Sequence, residues 1–101
     1  MSSFFDNPEP LPKKILIVDD QTFNIEALKI ILKYKLRIDT AFCCDYAYDG
    51  LEALKKVIND ADLSKKTSSY CLILMDCNMP HLDGYETSDR IRQFLFDNEI
   101  E

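Results

Sequence analysis

Two uninterrupted apolar runs in this chain each end in acid. Lys14-Ile15-Leu16-Ile17-Val18 leads into Asp19-Asp20, and Leu72-Ile73-Leu74-Met75 leads into Asp76. Continuous β-branched and leucine runs of this length, without the alternation of a half-exposed strand, predict strands buried on both faces of a parallel sheet. The pattern places these strands at about 14–19 and 71–76, with another expected within 39–46. In that middle strand, Ala41, Cys43 and Asp45 would share one face, and Phe42 and Cys44 the other.

Between the runs the period changes to that of a helix. Over 22–36, Thr22 is the expected N-cap, and Glu26, Lys29 and Lys33 form one narrow polar stripe. Phe23, Ala27, Leu28, Ile30, Ile31 and Tyr34 fill most of the remaining surface, which predicts a broadly buried helix. Asn24 near its start reads equally as a structural cap or as a residue beside a site. Asp49-Gly50 opens a helix at about 51–60, and Asp83-Gly84 opens another at about 85–96. In the latter, Ile91, Phe94 and Leu95 form the apolar side and Glu86–Arg90 an i,i+4 pair. Residues 60–69 form a polar loop expected to be mobile, and residues 1–12, with Pro8, Pro10 and Pro12, a flexible tail.

Bulk properties narrow the function. At 101 residues the chain is one domain at most, and 47% apolar content predicts a folded one. The net charge of −6, with no basic block, argues against nucleic-acid binding. No run reaches membrane-spanning length and no basic-then-apolar leader follows Met1, so a cytoplasmic location is expected. Cys43, Cys44, Cys71 and Cys77 contain no C-x-x-C pair and read as small buried hydrophobes, and His81 as a solvent-facing loop residue rather than a zinc ligand.

The acids carry the candidate chemistry. In open α/β sheets the ligand crevice lies beyond the carboxyl ends of the strands. Two adjacent strands of this kind bring Asp19, Asp20 and Asp76 to one edge. Crowded like charges stabilise nothing by themselves, so a cation is their expected reason, and a hard one such as Mg²⁺ suits carboxylate oxygens. Taken singly, each acid has a simpler role. Asp19-Asp20 could complement a helix dipole, Asp76 could cap a strand end, and Asp83 reads best as a helix cap. Only the joint pattern favours a site.

The segments ILIVDDQTFN (15–24) and LILMDCNMPHLDG (72–84), with Ala47–Leu54 as the entry to the second helix, resemble the receiver domain of two-component response regulators over roughly residues 13–96. The resemblance implies a three-layer α/β fold of flavodoxin-like type around a parallel sheet. It implies a phosphorelay role in which Asp76 is the phosphoacceptor and a histidine kinase or histidine phosphotransfer protein the donor. Mg²⁺ would be held by Asp19, Asp20, Asp76 and the backbone carbonyl of Asn78. Met79 and Pro80 would shape the loop, and Gly84 would permit its turn. Such a module is a phosphoacceptor rather than an enzyme.

A complete receiver of this family has five βα units, the fourth strand ending in Ser or Thr and the fifth in Lys before Pro. The residues here resemble three units, so 13–101 reads as a partial receiver, whether of a stand-alone regulator or a hybrid histidine kinase. Lys65 and Lys66 lie on the wrong side of the third strand to replace the missing lysine. In the order 2-1-3-4-5 the third strand is then an exposed edge, which predicts marginal stability or self-association through that edge, and the uncompensated acids predict weakened phosphorylation. A pseudo-receiver that binds partners without being phosphorylated is the alternative. A Mg²⁺-dependent phosphohydrolase is a more distant one, since Asn78 stands where such enzymes carry a second acid.

Overall fold

In the computed structural model, residues 13–79 and 82–100 are described. The expected tail at 1–12, Pro80, His81 and Glu101 lie outside them. Three parallel strands, β1 (Lys14–Val18), β2 (Cys44–Ala47) and β3 (Tyr70–Met75), form one sheet in the order β2-β1-β3. Helix α1 (Thr22–Tyr34) follows β1, a single turn α2 (Thr40–Cys43) precedes β2, α3 (Gly50–Asp60) joins β2 to β3, and α4 (Gly84–Asp97) follows β3. The register pairs Ile17 with Tyr46 on one side and with Leu74 on the other, so β1 is the central strand.

Ile15, Leu16, Ile17 and Val18 are all buried because successive side chains feed opposite layers. Leu16 and Val18 join Ala47, Ala53, Val57, Met79 and Ile91 under α3 and α4, while Ile15 and Ile17 join Ile25, Leu32 and Cys44 under α1. The result is the expected three-layer α/β arrangement. β3 is different. Its outer edge is unpaired among the described residues and Leu72 is 47% exposed, as the free-edge expectation requires.

Several local expectations change. Residues 40–43 form a helical turn rather than the start of β2, because Phe42 and Cys43 donate their amides to the Asp39 carbonyl. Cys44 and Tyr46 consequently face the α1 layer, and Ala47 faces the opposite one. α1 is not broadly buried, since Phe23, Ile30, Ile31 and Tyr34 are exposed and only Ile25 and Leu32 are fully covered. Its N-cap position is Gln21, which makes no side-chain cap, so Thr22 is the first helical residue. Among the cysteines only Cys44 is buried; Cys71 and Cys77 are exposed because β3 is an edge and the loop after it opens to solvent.

The loop expected to be mobile is instead tied down by hydrogen bonds. The Asp62 carboxylate accepts from the amides of Ser64 and Lys65 and from Ser64 Oγ, and a backbone bridge joins Asp62 to Thr67. Asp60 accepts from Ser68 Oγ at 2.9 Å and from the Ser69 amide at 2.8 Å. Burial works to raise the Asp60 pKa, but these bonds together outweigh it and hold the carboxyl below its ordinary range.

α4 ends with Glu99 in the left-handed region at φ 57°. The buried Ile100 then donates its amide to the Leu95 carbonyl at 2.8 Å, the C-terminal closure that glycine usually makes. Left-handed backbone costs a side-chain-bearing residue about 1–2 kcal/mol. The Lys66–Glu99 ion pair is too exposed to offset more than a few tenths of a kcal/mol, ~0.2–0.5. Glu99→Gly is therefore expected to stabilise the domain by about 0.5 kcal/mol, seen as a higher urea midpoint at unchanged slope.

Candidate functional site

The carboxyl ends of β1 and β3 are adjacent because their register runs in step from Ile15–Leu72 to Val18–Met75. The ladder extends one bond further, from the Asp76 amide to the Val18 carbonyl at 2.9 Å. On the other side of β1, the Asp19 amide donates to the Ala47 carbonyl at 3.1 Å. Asp19 and Asp76 are thus fixed at their backbones by the sheet itself, and Asp20 follows Asp19 directly. One carboxylate oxygen from each of Asp19, Asp20 and Asp76 lies within 4.8 Å of the other two. Asp19 is 7% exposed, while Asp20 and Asp76 are half-buried toward the opening.

Hydrogen bonds orient two of the three. Asp19 Oδ1 accepts from the Gln21 amide at 2.9 Å, and Asp76 Oδ1 accepts from the Asn78 amide at 3.1 Å. Each bond also folds the chain back around its acid, and the second keeps the Asn78 backbone beside the cluster. Among the described residues none of the three carboxylates is ion-paired. Three oxygens of this hardness, gathered from two strand ends and left uncompensated, match the donor set for a divalent hard cation such as Mg²⁺.

The loop after Asp76 is anchored from below and behind. Met79 is buried in the α3/α4 layer, and the Gly84 amide donates to the Cys77 carbonyl at 3.3 Å. Asp83 caps α4 through the Glu86 amide at 2.8 Å, as expected, and takes no part in the acid cluster. Asp49 caps α3 in the same way through Glu52 at 2.7 Å. Asn24 is exposed on the first turn of α1, whose N-cap position is Gln21.

Gly84 has a role other than the expected one. Its φ is not positive, so no turn requires it. Instead, a Cβ there would sit 2.2 Å from the Asp76 carbonyl oxygen and 2.8 Å from Cys77 Cα. The start of α4 lies directly against the backbone of the acid, and only glycine allows that approach. Thr87 is the residue sequence reasoning missed. It is fully buried, bonds the Asp83 carbonyl at 2.7 Å, and packs where a Cβ on Gly50 would meet its Oγ1 at 2.0 Å. It locks α4 to the start of α3 and so holds the back of the site. A polar residue one turn before Ile91, on the same apolar face of the helix, was the available signal.

Residues 15–98 match the family described as the response regulator receiver domain. The chain belongs to that family. It is 37% identical over 89 residues to hybrid signal transduction histidine kinase B of Dictyostelium discoideum, covering 88% of this chain and 4% of that protein. It is 42% identical over 83 residues to the autoinducer 2 sensor kinase/phosphatase LuxQ of Vibrio parahaemolyticus, covering 81% and 8% respectively. The receiver domain of the histidine kinase CKI1 from Arabidopsis thaliana, complexed with Mg²⁺ and BeF₃⁻, superposes with a TM-score of 0.71 at 26% identity. That match covers 90% of this chain and 62% of the solved one, so these residues span less than two thirds of it. As a receiver domain the chain is a component of two-component phosphorelay signalling, related to the receivers of hybrid histidine kinases.

Proposed function

We propose that this receiver accepts a phosphoryl group on Asp76 from a phosphohistidine of a histidine kinase or histidine phosphotransfer protein. A carboxylate oxygen of Asp76 attacks phosphorus, the N–P bond breaks, and an acyl phosphate forms while the donor nitrogen recovers its lone pair. Asp19, Asp20, Asp76 and the Asn78 carbonyl hold Mg²⁺, which when bound offsets the repulsion between the carboxylate and the incoming anion. The convergence of three carboxylates within 4.8 Å, from two neighbouring strand ends, is the observation that carries this reading. The Mg²⁺ and BeF₃⁻ complex of the CKI1 receiver supports the same chemistry here.

Within this proposal the domain is a phosphoacceptor, not an enzyme in its own right, and it acts in the cytoplasm. No described helix is long and apolar enough to cross a membrane. Three acids facing one divalent cation leave the pocket net negative, so phosphorylation of these residues alone is slow. That same charge supports the alternative of an interaction module that is not phosphorylated. The free edge of β3 is where a further strand, of this protein or another, would pair.

Metal binding separates the two readings from a merely structural acid cluster. Mg²⁺ at about one hundred times its dissociation constant is expected to raise unfolding free energy by about 2.7 kcal/mol. Asp20→Asn should remove most of that gain, while Asp83→Asn, in a cap outside the cluster, should leave it intact. Thermal or urea unfolding with and without Mg²⁺ measures it. Equal gains in all three proteins would rule out the assigned ligands, and Mg²⁺ stabilisation without any labelling of Asp76 by a phosphohistidine donor would favour the interaction module.

A further inference from the structure

The sheet has two outer edges, and the two are treated differently. On β2 the Ala47 carbonyl is taken by the Asp19 amide, so by alternation the Tyr46 carbonyl faces outward. There it accepts a hydrogen bond from the Lys56 ammonium, which α3 lays across the edge. A lysine over an edge carbonyl guards that edge against pairing with another strand. β3 has no such guard among the described residues. The Asp76 amide points to β1, so by the same alternation the amides and carbonyls of Ile73 and Met75 point away from it.

The flank of α4 beside this edge identifies what covers it. Tyr85, Asp89, Arg92 and Phe96 follow at steps of four, three and four, which places them in one straight seam along the helix. All four are exposed, Tyr85 at 69% and Phe96 at 80%. Glu86 pairs with Arg90 and Lys66 with Glu99, whereas neither Asp89 nor Arg92 is ion-paired among the described residues. If a second α4 packs antiparallel, Asp89 meets Arg92 of the second copy and Tyr85 meets its Phe96. By symmetry each contact is made twice. A parallel pair would instead set Asp89 on Asp89 and Arg92 on Arg92. The seam is therefore complementary to itself in one orientation only, as a two-fold interface must be. Ile73 and Met75 line one groove with Ser88 and Arg92, so the middle of the seam is level with the open part of β3. A single two-fold axis perpendicular to the sheet then serves both surfaces. It pairs β3 with β3 antiparallel about Leu74, and Ile73 exchanges backbone hydrogen bonds with Met75 of the second copy.

We propose that this chain forms a two-fold homodimer in which β3 pairs with β3 and α4 with α4, joined by reciprocal Asp89–Arg92 ion pairs. The two sheets become one, in the order β2-β1-β3-β3-β1-β2. Lys56 guards both outer edges of that joint sheet, so association closes at two copies rather than growing into a fibre. This inference goes beyond the phosphoacceptor reading and does not depend on it.

Sedimentation of the 101-residue chain from micromolar to millimolar concentration tests it, with circular dichroism confirming that each variant is folded. The parent is expected to show a monomer–dimer equilibrium and no larger species. Asp89→Lys leaves both central positions of the seam basic and Arg92→Glu leaves both acidic, so each variant alone should dimerise at least about tenfold more weakly. Mixed in equal amounts, the two should pair with each other at about parental affinity, and the double variant should recover self-association. Hydrogen exchange reads the strand half of the interface. The Ile73 and Met75 amides should exchange at least about tenfold more slowly in the dimer than in the monomer. A parent that stays monomeric would leave the edge and the seam to some other segment and overturn the proposal. It fails equally if the single variants associate like the parent, if the mixture pairs no better than its components, or if dimerisation leaves the Ile73 and Met75 amides unprotected.

Discussion

Asp76→Asn is expected to reduce phosphoryl incorporation by at least about a hundredfold while leaving the fold intact. A carboxamide oxygen carries no negative charge to offer phosphorus, yet it can still accept the Asn78 amide bond that Asp76 Oδ1 accepts at 3.1 Å. The same substitution relieves repulsion in the apo protein. Two unit charges about 5 Å apart in a water-like medium repel by about 1 kcal/mol, and Asp76 has two such neighbours. Without divalent cations the variant should therefore unfold at higher urea than the parent, by about 1 kcal/mol or more. With Mg²⁺ saturating the parent, the order should reverse. Urea midpoints in chelator and in Mg²⁺, beside labelling by a phosphohistidine donor, give both results. Labelling of the variant at the parental rate would move the phosphoacceptor to another residue.

Gly84→Ala is expected to be the most damaging single-methyl change near the site. The added carbon meets the Asp76 carbonyl oxygen at 2.2 Å and the Asp76 carbonyl carbon at 2.9 Å, contacts no real Cβ tolerates. Both are backbone, held by the sheet through the Asp76–Val18 bond, so no side chain can swing away. Either α4 retreats, opening its contact with α3, or the Asp76 loop shifts and spreads the carboxylates. Overpacking of this kind costs about 1–3 kcal/mol. The loss should come with Mg²⁺ affinity reduced by at least about tenfold, since the ligands no longer converge. Glu99→Gly, remote from the cluster, is the control that separates lost convergence from altered stability. A Gly84→Ala protein that binds Mg²⁺ like the parent would show that α4 absorbs the methyl without disturbing the acids.

The parts of this site that were legible from sequence are those where one rule decides placement. A buried parallel strand puts its carboxyl end at the crevice, so the acids after Val18 and Met75 had to meet once β1 and β3 were neighbours. Asp83 was legible as a cap, and Asp49 as the opening of a helix, because a helix start leaves amides to satisfy. α1 was not, because periodicity reveals apolar positions without saying which of two apolar stripes the sheet takes. Residues 40–43 misled for a related reason. Phe42 and Cys43 suit a strand by composition, whereas the Asp39 carbonyl draws both amides into a turn. Gly84 was placed in the right loop for the wrong reason, since the approach of another element's backbone leaves no mark in local sequence.

The central position of β1 also sets a timetable. Its first neighbour, β2, follows after about thirty residues, but Lys14 waits for Tyr70, some 56 positions later, before its second edge is covered. At synthesis rates of about 5–20 residues per second, that interval is about 3–11 s, far longer than local helix formation needs. During it the nascent chain displays Ile-Leu-Ile-Val with both sides open until β2 follows and one side open thereafter, and a chaperone or a neighbouring nascent chain competes with β3 for that side. The strand that organises the finished domain is thus also its point of greatest vulnerability on the ribosome.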